Sequence, residues 1–207
     1  MILLPNGTCG ALILYAPICD INTAEPLFPI ARYKEIQACR SEKTKCEKYL
    51  VWKLLEHAVK DYLNIDFANL KFTKLDNGQW VCPDFYFSLS HTDGAICVAV
   101  SHHPIGVDIE KTRSVKEGLY SRVLTDKEYA VLKTLADEER EDFFLKAWVK
   151  KESIFKRNGG TSLMPSKTET DSSDAEAHTV YVNGERYFIG IAVNKNEGYE
   201  IIYTEEI

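Results

Sequence analysis

Residues 106–110 read GVDIE, two acids set into a short apolar run. Side chains alternate faces along a strand, so Asp108 and Glu110 point one way while Val107 and Ile109 point the other. Their Cα atoms then lie about 6.6 Å apart. Like charges that close repel unless something cationic lies between them. Two readings stand on these residues alone: a half-exposed strand whose acids face water, or one side of a cation site.

Working upstream, FYFSLSHTDGAICVAVSHHP (85–104) reads as strand, turn at Thr92-Asp93-Gly94, strand, and turn at His103-Pro104. The acid strand ends this meander. Before it, NLKFTKLDNGQWVC (69–82) predicts two short strands about an Asn77-Gly78 turn. A long helix is expected over 42–63, with Cys46, Leu50, Leu54, Ala58 and Tyr62 in one row and Val51, Leu55 and Val59 in a second. LFPIARYKEIQACR (27–40) turns helical after Pro29, and GALILYA (10–16) predicts a strand. Downstream, Ser114-x-x-Glu117 and Thr125-x-x-Glu128 match capping boxes, the second opening a helix to about 136. A helix over 138–157 stops at Asn158-Gly159-Gly160. The polar stretch 165–177 predicts a loop, and a closing meander turns at Asn183-Gly184.

The chain has 207 residues, 45% apolar and 27% charged, enough for one large or two small domains with a real core. Its net charge of −6 argues against a general nucleic-acid binder. Six cysteines stand at 9, 19, 39, 46, 82 and 97, with no CxxC pair to suggest structural zinc. The apolar start carries Pro5 and Gly7 and has no basic n-region, unlike a signal peptide. These features predict a reducing, cytoplasmic setting, with the cysteines mostly small core residues.

A second stretch, AWVKKESIFK (147–156), places Trp148, Glu152 and Lys156 on one helix face. Glu152 and Lys156 read equally as an i, i+4 ion pair, and Lys150 and Lys151 as solvated charges. Taken with GVDIE, however, Glu152 would make a third carboxylate. Three oxygen donors suit Mg²⁺, which binds phosphate oxygens alongside a few carboxylates. Ser90 and His91 stand at a strand end before a turn, where ligand contacts are common.

FSLSH (87–91), PIGVDIEKTR (104–113) and WVKKESIFK (148–156), in this order and spacing, resemble the phosphopantetheinyl transferases, in particular the longer, Sfp-like group. VLTDKEYAVL (123–132) fits the same pattern. The resemblance implies an α+β fold of two similar lobes related by a pseudo-twofold axis, each a small mainly antiparallel sheet packed with helices. Residues 1–104 would form the N-terminal lobe and 105–207 the C-terminal lobe, with coenzyme A in the cleft of a monomer.

It further implies transfer of the phosphopantetheine arm of coenzyme A to a serine of an apo carrier protein, releasing adenosine 3′,5′-bisphosphate. Asp108, Glu110 and Glu152 would be Mg²⁺ ligands. Glu152 would take the serine proton, directly or through a water, and Lys156 would hold the pyrophosphate. Ser90, His91 and Thr92 would contact phosphates, and Arg32 and Lys48 the 3′-phosphate. Trp148 would position the helix. Two departures stand out: Glu35 replaces a basic residue, and Gly78-Gln79-Trp80 replaces a Gly-Lys-Pro stretch. Lys111, Arg113, Lys116 and Arg122, interleaved with Val115, Leu119 and Tyr120, fit either an acidic carrier helix or an ordinary amphipathic helix. The rival functions are a Mg²⁺-dependent nucleotide or pyrophosphate hydrolase and an inactive binding module.

Overall fold

The structure, a computed structural model, describes residues 10–160, 164–170, 175–195 and 197–205. Cys9, the apolar start through residue 9 and part of the polar loop lie outside the described residues. The fold is α+β, with small, mainly antiparallel sheets and helices.

The first sheet holds β1 (Gly10–Pro17), β4 (Tyr86–Thr92), β5 (Ala95–Ser101) and β9 (Gly198–Tyr203) in the order β4-β5-β1-β9. The second holds β6 (Gly106–Lys111), β7 (Glu176–Val182) and β8 (Glu185–Ala192) in the order β6-β8-β7. A small hairpin joins β2 (Thr73–Lys74) to β3 (Trp80–Val81), turning at Gly78 with φ of +88°. That positive φ is one glycine adopts freely.

Alternation along the strands builds layers. Leu12, Leu14, Ile96, Val98 and Val100 pack with Leu50, Trp52 and Leu54 of α2 (Glu42–His57) in one core. Their neighbours Ala11, Ile13, Ala95, Cys97 and Ala99 face the second sheet, meeting Val107, Ile109, Ile189 and Ile191. The small side chains on β5 let the two sheets approach. The far face of the second sheet packs Phe188 against Phe144, Leu145 and Val149 of α5 (Asp137–Arg157).

Two glycines set how closely α5 lies on that face. A Cβ on Gly106 would stand 1.8 Å from the carbonyl oxygen of Ser153, and one on Gly190 would stand 2.1 Å from that of Val149. Gly190 is the cross-strand partner of Asp108, so helix backbone rests directly beside the acid strand.

Several sequence expectations need revision. β9 does not complete a meander with β7 and β8; it returns to pair in parallel with β1, where Leu12 and Leu14 sit opposite Glu200 and Ile202. Ser114 opens no helix. The chain runs without regular structure to a 3₁₀ turn at Glu117–Leu119 and the short α3 (Tyr120–Val123). Val115 and Leu119 pack on the core with buried Tyr120, which fills the apolar side of that segment from within the fold. The Thr125 capping box does form, opening α4 (Asp126–Leu132). Of the described cysteines only Cys97 is buried, and Cys19 is exposed.

Lys151 is the largest departure: it is fully buried. Its three ammonium protons meet Pro165 O at 2.8 Å, Thr168 O at 2.5 Å and Glu128 Oε2 at 2.7 Å. Glu128 also closes the cap of α4 and accepts from Thr170. One buried ion pair thus holds α4, α5 and the 164–170 segment together.

Gly190→Ala is expected to lower unfolding free energy by about 3 kcal/mol or more, since the Val149–Lys150 peptide of α5 blocks the added methyl. Urea denaturation checks it, and an unchanged midpoint would contradict the close approach of α5.

Candidate functional site

β6 is an edge strand, and its outer side faces β4. Ser88 and Ser90 alternate onto the β4 face that meets it. Ser88 Oγ accepts from the Val107 amide at 3.0 Å, and Ser90 Oγ from the Ile109 amide at 3.2 Å. The Ser90 hydroxyl donates onward to Asp108 Oδ1 at 2.8 Å. Ser90 is buried, so it braces Asp108 in this geometry and does not open onto the cleft as a phosphate contact would require.

Lys156 reaches the same edge from α5. Its ammonium donates to Asp108 Oδ1 at 2.7 Å and to the Val107 carbonyl at 3.0 Å. It therefore pairs with Asp108, where the helix spacing alone suggested Glu152. Trp148 Nε1 donates to Glu110 Oε1 at 3.3 Å, and Arg113 stands 3.9 Å from Glu110. The indole of α5 thus aims the second acid of the strand.

Glu110 and Glu152 both hold their carboxyls above the usual range. For Glu110 the causes are burial and then the charge of Asp108, offset in part by Arg113, Trp148 and Lys156. For Glu152 burial leads, Asp108 and Glu110 add to it, and Lys156 opposes. The three carboxylates therefore share one electrostatic neighbourhood, as alternation on β6 and the α5 face predict.

Asp108 Oδ2 is buried without a hydrogen-bond partner. A buried carboxylate oxygen left bare is costly, and a cation would relieve it. An all-oxygen donor set of this kind suits a hard divalent ion. As they stand, no three His, Cys, Asp or Glu side chains among the described residues are gathered to hold a metal. The ammonium of Lys156 occupies Asp108 Oδ1, so the acids would have to turn toward an ion.

A cleft of about 310 Å³ opens beside this edge, lined by Arg32, Trp80, Phe87, Leu89 and Lys156 with the 77–79 turn and Gly159-Gly160. His91 sits at the end of β4, its side chain 35% exposed, with Nδ1 3.4 Å from Glu47 Oε2. Burial and then the charges of Lys156, Lys48 and Arg32 push its pKa down. The charges of three cations singled out in the sequence therefore act on His91. Thr92, partly exposed, ends the same strand.

Sequence reasoning missed Glu47, Ser88, Lys74 and Asn77. Glu47 had a signal: it heads the row Val51, Leu55 and Val59, an acid where an apolar residue is expected. Ser88 had none, because only the meeting of the two sheets gives its hydroxyl a partner.

Residues 104–203 match the family model of the 4′-phosphopantetheinyl transferase superfamily. Asp108, Glu110, Glu152 and Lys156 lie inside it. The chain is similar to two 4′-phosphopantetheinyl transferases of Bacillus subtilis, ffp and Sfp, at 31% and 30% identity over 114 residues, 53% of this chain and 51% of theirs. It is 32% identical to the gsp transferase of Aneurinibacillus migulanus over 104 residues, 50% of this chain and 44% of that protein. The chain spans about half the length of the curated relatives it matches.

A carboxyl whose pKa is raised in the fold keeps a proton that the unfolded chain has lost. Stability therefore falls as pH rises from the ordinary glutamate value through the raised one. In buffer free of divalent cations, Glu152→Gln is expected to melt above the parent at pH 7, with the gap closing near pH about 4. A parent at least as stable as the variant at pH 7 would contradict the crowding of these acids.

Proposed function

We propose that this chain transfers the 4′-phosphopantetheine arm of coenzyme A to a serine of an apo carrier protein. The observation that carries the reading is Asp108, held by Ser90 and Lys156 with one buried oxygen left bare, in the electrostatic neighbourhood of Glu110 and Glu152 and next to a cleft that Lys156 and Arg32 line. The bare Asp108 oxygen supports Mg²⁺ as the ion that Asp108, Glu110 and Glu152 would hold. Bound there, Mg²⁺ supplies positive charge to the pyrophosphate oxygens.

The acceptor serine oxygen attacks the phosphorus that bears the pantetheine arm. The bond from that phosphorus to the bridging pyrophosphate oxygen breaks, and adenosine 3′,5′-bisphosphate leaves. Glu152 takes the serine proton. Its raised pKa makes it a stronger base than an ordinary glutamate. Lys156 offsets charge on the transferred phosphoryl group, and Ser90 and Trp148 fix the aim of Asp108 and Glu110.

Arg32 and Lys48, whose charges both act on His91, would hold the separate 3′-phosphate, with the His91 imidazole beside them. Thr92 lies next to His91. The exposed basic residues Arg113, Lys116 and Arg122, with Lys111 beside them, offer an acidic carrier helix an electrostatic landing near the acids. We place the reaction in the cytoplasm, on a monomer. No helix among the described residues is long and apolar enough to cross a membrane.

The test combines the protein with coenzyme A, Mg²⁺ and apo carriers of fatty-acid, polyketide and non-ribosomal peptide type, and weighs each carrier. A phosphopantetheine mass gain on at least one is expected, and Glu152→Gln should slow it by about 10²–10⁴-fold. No gain on any carrier would refute the transfer, and phosphate or nucleotide release without a carrier would favour hydrolysis.

A further inference from the structure

The wall of the cleft opposite α5 is the β2–β3 hairpin. Its tip is tied to the end of α5, where Asn77 Nδ2 donates to Gly159 O at 2.9 Å. Its root is tied to α1 (Ile30–Gln37) through a single carboxylate. Glu35 Oε2 accepts from Trp80 Nε1 at 3.1 Å and from Lys74 Nζ at 2.9 Å. Lys74 and Trp80 are direct cross-strand partners, so one oxygen grips both sides of the hairpin.

The other oxygen grips the ligand-facing cation. Glu35 Oε1 accepts from Arg32 Nη1 at 2.9 Å. The Arg32 guanidinium lies 5.0 Å from the Trp52 ring and 6.0 Å from the Trp80 ring. Arg32 is only 7% exposed, it lines the cleft, and its Nε is buried without a partner. An anion entering the cleft therefore meets a cation whose charge is already shared with an acid behind it. Arg32 and Lys74 bring two positive charges and Glu35 one negative, so this three-residue cluster carries one net positive charge.

We propose that Glu35 is a specificity-determining residue. By holding Arg32 and Lys74 it weakens the pull of this end of the cleft on a dianionic phosphate monoester, so the protein shows little preference for coenzyme A over 3′-dephospho-coenzyme A. The inference rests on the coenzyme A reading above. It adds that the 3′-phosphate is partly dispensable in this chain because an acid stands behind its cation.

Calorimetry with coenzyme A and with 3′-dephospho-coenzyme A, in Mg²⁺ and without carrier, tests it on the parent, Glu35→Gln, Glu35→Asp and Lys74→Met. Gln keeps an oxygen for the Trp80 indole and removes only the charge. Glu35→Gln is expected to raise the preference for coenzyme A about 3–10-fold, by tightening coenzyme A alone, and the gain should shrink in high salt. Glu35→Asp should keep the parent ratio. Lys74→Met, at a partly exposed position, leaves Glu35 to Arg32 alone and should lower the preference further. If the parent binds both ligands and neither Glu35→Gln nor Lys74→Met moves the ratio, the role of Glu35 is refuted and the coenzyme A reading stands. If the parent binds neither ligand, the coenzyme A reading falls and takes this inference with it.

Discussion

A strand edge with no strand beside it must find other partners for its backbone groups. β6 finds them in side chains: Ser88 and Ser90 take two amides, and Lys156 gives to a carbonyl. A further strand there would have buried the acids under a continuous sheet. Hydroxyls and an ammonium close the edge instead, and Ser88 and Lys156, which supply two of these groups, also line the cleft beside it. The same three residues also reach Asp108 or its neighbours, so closing the edge and aiming the acid are one arrangement.

That arrangement depends on how near α5 can come. Gly106 and Gly190 remove the two side chains that would hold the helix away, and Trp148 and Lys156 then reach β6. Val107 and Ile109 lock the strand from its other face, in the core between the sheets. The repulsion among Asp108, Glu110 and Glu152 is carried by this packing. Burial raises the pKa of Glu110 and Glu152, and the Lys156 ammonium forms an ion pair with Asp108. A protein keeps such stress where charge is to be met by a ligand.

Much of this was legible in the residues. Alternation in GVDIE and the i, i+4, i+8 spacing of Trp148, Glu152 and Lys156 hold in the fold, as do the turns at Asn77-Gly78 and Asn183-Gly184. What failed did so for tertiary reasons. Lys151 reads as a solvated charge until Glu128 and two carbonyls close on it, although its place one turn beyond Ala147 on the apolar face was a hint. The return of β9 to β1 leaves no mark in YEIIY, whose alternation would suit either sheet. Lys156 was read as free for phosphate or paired to Glu152, and its actual partner depends on the crossing of α5 over β6.

The account therefore rests on one claim: the edge of β6 and the facing turn of α5 form a cation site for a pyrophosphate. Titration of Mn²⁺ into the protein, followed by electron paramagnetic resonance with and without coenzyme A, measures it most directly. The account predicts a bound signal that strengthens with coenzyme A in the parent and is lost in Asp108→Asn. Equal Mn²⁺ binding in the parent and Asp108→Asn, or none in the parent with coenzyme A present, would contradict it.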